Sequence, residues 1–165
     1  MKKILLLLSA AVAVGIAVFF FWRSDSDEVK VKKVLDRLCV MGTRREGENP
    51  AAAALMINKT DEIFTPEVRI SGAGGLFDGV KTPSAITADL ARYRAVFRRV
   101  TVRAQDAEVS FPEKDRAFVV FSGTLSGDTK MGNSVSEVRD VECTLLRIEG
   151  LWKITALTVR EVLER

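Results

Sequence analysis

Nineteen consecutive residues near the N-terminus, ILLLLSAAVAVGIAVFFFW at 4–22, carry no charge. As a helix at ~1.5 Å per residue the run reaches roughly 28 Å, close to the ~30 Å hydrocarbon core of a bilayer. A stretch so long and so uniformly apolar has no place inside a small water-facing domain. It holds four Leu, two Ile, three Val and three Phe. At about −0.3 to −0.6 kcal/mol each, these favour insertion by roughly 4–7 kcal/mol. Trp22, after Phe19 to Phe21, suits the far interface. The expected organisation is therefore a transmembrane anchor at 1–22, a short polar linker at 23–27 and one domain at 28–165. Lys2 and Lys3 favour an N-terminus inside, and a long following domain translocates largely regardless of its charge. The expected location is a bacterial inner (plasma) membrane, single-pass, with the domain facing the periplasm or exterior. The alternative is a signal peptide cleaved near Ala11-Val12-Ala13, which yields a secreted protein.

Removing the first 22 of the 165 residues leaves 143, enough for one core and too few for two comfortable domains. The chain has 25 Lys and Arg against 22 Asp and Glu, a formal charge of +3. Two of those positives are Lys2 and Lys3, so the domain is nearly neutral, and no nucleic-acid partner is expected. Histidine is absent. That removes imidazole acid–base chemistry and the commonest metal ligand together. Cys39 and Cys143 match no metal spacing. They are read as small buried apolar residues, with a disulfide left open for an oxidising compartment. No metal and no cofactor is expected.

Beyond the linker, Val31, Val34, Leu35, Leu38 and Met41 recur at helical spacing, and the pattern predicts a helix over 27–42 with Asp27 as cap and Gly42 as stop. Asn49-Pro50 starts a second helix, which Pro66 ends. A strand is expected at 67–72, a glycine-rich connector at 72–79, and a third helix capped by Thr82, with Ile86, Leu90, Tyr93 and Phe97 on one face. From Arg99 the period changes to two. Val100, Val102 and Ala104 alternate, then Ala107, Val109 and Phe111 continue on the other parity, which predicts a bulge near Asp106. Three further strands follow, AFVVFSGTL, SVSEVRDVECTLLRI and LWKITALTVREV, separated by GDTKMGN and Glu149-Gly150. Helices first and a strand meander later predict an α+β fold, three helices packed on a strongly curved antiparallel sheet.

Phe64-Thr65-Pro66 leading into Val68–Ser71, Gly74-Gly75-Leu76-Phe77-Asp78-Gly79 leading into the third helix, and Trp152-Lys153-Ile154 opening the last strand occur in that order. This order resembles the nuclear transport factor 2-like superfamily, which includes ketosteroid isomerase and polyketide cyclase-like proteins. The resemblance spans nearly all of 28–162. It implies a cone-shaped α+β barrel enclosing a pocket. Catalytic members line that pocket with carboxylates, histidines or tyrosines. None of those transfers here residue by residue: there is no His, and Tyr93 lies on a different element from the family's usual catalytic tyrosine. No catalytic residue is assigned.

The ligand-pocket candidates are Arg69, Ser71, Tyr93, Glu137 and Arg139. Tyr93 could aim its hydroxyl into the cone. Arg69 and Ser71 share the second face of their strand, where Arg69 could hold an anionic ligand. Glu137 and Arg139 share the parity of Val141 and Cys143. Asp61-Glu62 reads as a solvated helix edge. The basic clusters KVKK at 30–33 and RYRAVFRR at 92–99 read as helix surface, with lipid contact as the alternative. Open sheet edges and apolar residues on both parities of AFVVFSGTL favour a homodimer or an envelope protein partner. Two functions follow. One is a membrane-anchored, non-catalytic module binding a small apolar or anionic ligand or assisting assembly. It resembles loosely the single-helix inner-membrane scaffolds of type IV secretion. The other is a small-molecule isomerase, cyclase or hydratase using the cone pocket.

Overall fold

The computed structural model describes residues 26–72 and 77–161. The apolar run 4–22 lies outside the described residues. Within the described residues no helix is long and apolar enough to cross a membrane. By its internal packing the chain divides into an N-terminal unit, residues 1–30, and a body, residues 31–165. Of the N-terminal unit, only 26–30 are described. The Ser26 hydroxyl accepts from the Val29 N–H at 3.3 Å, so Ser26, one residue before the expected Asp27, starts the first helix.

That helix, α1, runs Asp27–Gly42, as its apolar spacing predicts. It buries Val31, Val34, Leu35 and Met41. Gly42 is its last residue and sits against Val102: an added Cβ would lie 3.1 Å from Val102 Cγ2. The expected second helix is two. α2 spans Pro50–Ile57 and α3 spans Thr60–Ile63, with Asn58 and Lys59 turning between them. Strand β1 then begins at Phe64, three residues earlier than expected, and continues to Ser71 through Pro66. The connector holds a short strand that the glycines concealed, β2 at Gly79–Lys81. Thr82 caps α4, Pro83–Val96, by accepting from the Ala85 N–H.

Four long strands complete the body: β3 at Phe97–Glu113, β4 at Arg116–Thr129, β5 at Ser134–Ile148 and β6 at Leu151–Glu161. The sheet order is β2-β1-β6-β5-β4-β3. The last four strands form the expected antiparallel meander. β1 joins it parallel to β6, and β2 pairs antiparallel with β1. Curvature comes from breaks in register. Asp106 has φ +54°, and the β3–β4 register shifts between Gln105 and Glu108, where the change of parity predicts it. Further shifts fall between Thr144 and Leu145 and between Phe64 and Arg69. The core sits between helices and concave face, with Leu35, Ile63, Phe64, Val119, Leu145 and Ile154 all under 3% exposed.

Candidate functional site

Tyr93 takes its place from α4, whose Ile86 and Leu90 are buried beneath it. Phe77 meets its ring edge-on, centroids 6.1 Å apart, and Phe97 meets it tilted at 5.1 Å. The phenol oxygen is buried and has no hydrogen-bond partner among the described residues. Burial, and secondarily the Glu137 carboxylate, pushes its pKa up to about 12, against a smaller opposite effect from Arg94. Glu137 and Arg139 pair at 3.4 Å on β5, both half-exposed. They occupy the inward parity, but the residues deeper along it, Val141, Cys143 and Leu145, are buried. The inward face of β5 thus grades from a wet ionic end to a dry apolar end, and Tyr93 stands beside the ionic end.

Arg69 and Ser71 lie elsewhere. Val68 and Ile70 enter the core, so their neighbours on β1 point outward. The Ser71 hydroxyl bonds the Thr158 hydroxyl at 3.1 Å. Arg69 borders an outer groove of about 380 Å³ with Glu67, Val80, Thr155 and Ala156. The five sequence candidates therefore occupy two places, Tyr93, Glu137 and Arg139 in one, Arg69 and Ser71 in the other.

A larger groove escaped the sequence reading. About 890 Å³ opens between the C-terminal half of α1, the 43–48 loop, Met56 of α2 and residues 102–105 of β3. Cys39 lines it as a free thiol, its pKa raised mainly by burial, so it is a weak nucleophile at neutral pH. Cys143 is free and fully buried. The available signal was α2 itself, PAAAALMI, eight residues without a charge.

The two buried charged side chains among the described residues are structural. Arg94 donates to the Met41 carbonyl at 2.7 Å, to the Thr43 carbonyl and to Glu48. Asp89 accepts from Lys81 at 2.7 Å and Arg92 at 3.3 Å. Sequence reasoning missed both: RYRAVFRR, which contains Arg94, reads as helix surface, and nothing local sets Asp89 apart. The rest of RYRAVFRR is also engaged: Arg98 lies 3.7 Å from Glu46 and from Asp128, and Arg99 bonds Asp128 at 2.5 Å. Asp61 and Glu62 are exposed, and Glu62 pairs with Arg37 at 3.7 Å and Lys59 at 3.8 Å.

No family model and no curated protein matches the chain. Solved structures do. A nuclear transport factor 2-like superfamily protein from Salmonella enterica serovar Typhimurium is 12% identical, with a TM-score of 0.63 over 85% of this chain and 95% of that one. A proposed dehydratase of the nuclear transport factor 2-like family from Streptomyces avermitilis is 15% identical, with a TM-score of 0.64 over 86% and 100%. A proposed scytalone dehydratase from Novosphingobium aromaticivorans is 12% identical, with a TM-score of 0.63 over 83% and 85%. The fold is that of the nuclear transport factor 2-like proteins.

Proposed function

We propose that the chain is a membrane-tethered, non-catalytic binding module. Residues 4–22 anchor it in a bacterial plasma membrane with the body on the outer side, and the Tyr93 end of the cone receives a small, mainly apolar ligand or a segment of an assembly partner. One observation carries the non-catalytic part. The dry interior is filled by apolar side chains, and the buried charges Asp89 and Arg94 are consumed in ion pairs with Lys81 and Glu48. General acid–base catalysis needs a desolvated proton-transfer group within reach of a substrate. Glu137, the carboxylate whose charge acts on Tyr93, is instead half-exposed and paired to Arg139.

A second reading has its own support. The Glu137 carboxylate acts electrostatically on the Tyr93 phenol, which offers an acid and a base to one substrate, and two of the structural neighbours bear dehydratase descriptions. On that reading Glu137 removes a proton and Tyr93 donates one. Native mass spectrometry of the full chain in detergent micelles separates the two. The module retains a small molecule whose occupancy falls in Tyr93→Phe, and both proteins leave hydroxyketone and enone substrates unchanged. Turnover by the parent that vanishes in Glu137→Gln would overturn the module. For the tether, alkaline carbonate should leave the chain in the membrane pellet. Recovery of an intact, unprocessed chain in the supernatant would remove that part.

A further inference from the structure

We infer that the second half of the β3 edge, Ala107–Phe111, is an interface on which a second copy of this chain lays its own β3, antiparallel, across a two-fold axis at Val109; neither the tether nor the ligand proposed above is needed for it. The first half of that edge is satisfied from within. The Val100 N–H donates to the Arg44 carbonyl at 2.9 Å, and the Val100 carbonyl accepts from the Arg44 N–H at 2.8 Å. The Val102 N–H donates to the Thr43 hydroxyl at 3.0 Å, and the Cys39 thiol meets the Ala104 backbone. The end of α1 and the residues after it thus cover the edge as far as Ala104. The opposite edge of the sheet is β2, three residues long, too short to template another chain.

Past the Asp106 bulge the edge is open. Val100 and Val102 spend their backbone groups away from β4, so Thr101 and Arg103 face β4, at Ser126 and Thr124. Sides alternate along β4, so Val120 and Phe118 face β3 as well, and their partners Glu108 and Ser110 carry the ladder there. Planar trans peptides then turn the Ala107 carbonyl, the Val109 N–H and carbonyl, and the Phe111 N–H outward. Among the described residues nothing pairs with them. The bulge lies before this row of groups and Pro112 after it, so neither blunts it.

The side chains select a second copy as occupant. An axis at Val109 sets each Val109 N–H on the opposite Val109 carbonyl and each Phe111 N–H on the opposite Ala107 carbonyl. Phe111 is 42% exposed despite its ring contact with Trp152 at 5.7 Å. In this register it lies over the Ala107 of the second copy, bulky against small. Glu108 faces a Ser110 hydroxyl. Neighbouring registers are worse. An axis at Glu108 opposes two like charges. An axis at Ser110 calls on Glu113 to serve the Ala107 carbonyl, but Glu113 is paired with Arg116.

The test uses the full chain in detergent micelles, in a Cys39→Ser background; Cys143 is fully buried and stays unreactive. Chains with Glu108→Cys are mixed with mass-tagged chains with Ser110→Cys and oxidised. The register makes these positions a non-hydrogen-bonded pair with Cα atoms roughly 4.5 Å apart, within the ~4.4–6.8 Å that a disulfide spans. The mixed 108–110 link should exceed the 108–108 and 110–110 links several-fold. Val109→Pro deletes an N–H that the β4 ladder does not use. It should keep the far-ultraviolet dichroism of the parent and lose the dimer mass that the parent shows in native mass spectrometry, whereas Val109→Ala keeps that mass. A parent that stays monomeric at micromolar concentration overturns the inference, as does a dominant 108–108 or 110–110 link. So does a dimer that persists in folded Val109→Pro. Should that variant fail to fold, the pattern of cross-links decides alone.

Discussion

Tyr93 is the single tyrosine of the chain, so its titration is directly visible. Burial raises its folded pKa from 10.0 to about 12. The neutral phenol is therefore favoured in the folded state, and its contribution to stability is complete below pH 10 and lost as pH rises through 12. The tyrosinate absorbance band should grow in with a midpoint near pH 12 in the folded protein and near pH 10 in denaturant. A native midpoint at 10 would mean that the ring is solvated. Arg94 supports a second expectation at this scale. Arg94→Met strips Glu48 of its partner and frees two carbonyls, which should cost about 3 kcal/mol in denaturant unfolding. Glu48→Gln should cost clearly less, because Arg94 keeps the Met41 and Thr43 carbonyls. The acid side belongs to Asp128, whose pKa is lowered first by the Ser134 hydroxyl and then by Arg99. Its stabilising effect is present above its ordinary value and fades as pH falls below it.

Elements were legible where one signal dominated. The helical spacing of Val31 to Met41 gave α1, and the switch of parity at Asp106 gave the bulge. Glu149 and Gly150, with φ of +51° and +79°, form the tight turn expected between β5 and β6. Elements were obscured where Pro and Gly carry two meanings. Pro66 reads as a helix stop, yet β1 runs through it, because the β1–β6 register breaks there and no ladder donor is needed. Pro112 is tolerated near the end of β3 because that strand is a sheet edge. The three-residue β2 was hidden in a glycine connector. Of the site, the strand parity of Glu137 and Arg139 and the helix face of Tyr93 were readable. The groove beside α2 was not, since it is made by a loop and by packing at long range. Gly127 is a test at this level: a Cβ there would lie 2.5 Å from the Arg99 carbonyl oxygen and 2.8 Å from Val100 Cα. Gly127→Ala should destabilise by about 1–3 kcal/mol through overpacking of backbone. Gly123→Ala, which meets the yielding Val141 Cγ2 at 3.2 Å, should shift the melting temperature less.

At the scale of the molecule, helices on a bent meander followed from the order of patterns, but the joining of β1 to that meander did not. Nothing local in Phe64–Ser71 announces that its neighbour is β6, some ninety residues later. Phe64 and Val68 are nevertheless buried at 2% and 0% exposure. A chain truncated after Gly150 should accordingly show no cooperative unfolding transition, as read by near-ultraviolet dichroism against denaturant; a sharp transition would mean that β1 is held by the helices alone. The parallel β1–β6 pairing also sets a clock on biogenesis. The ribosome makes β1 well before β6, so until β6 emerges β1 has only the three residues of β2 to pair with. The buried side of Phe64 and Val68 therefore waits on a contact of high sequence separation, the kind that slows folding and leaves apolar surface bare in the interval.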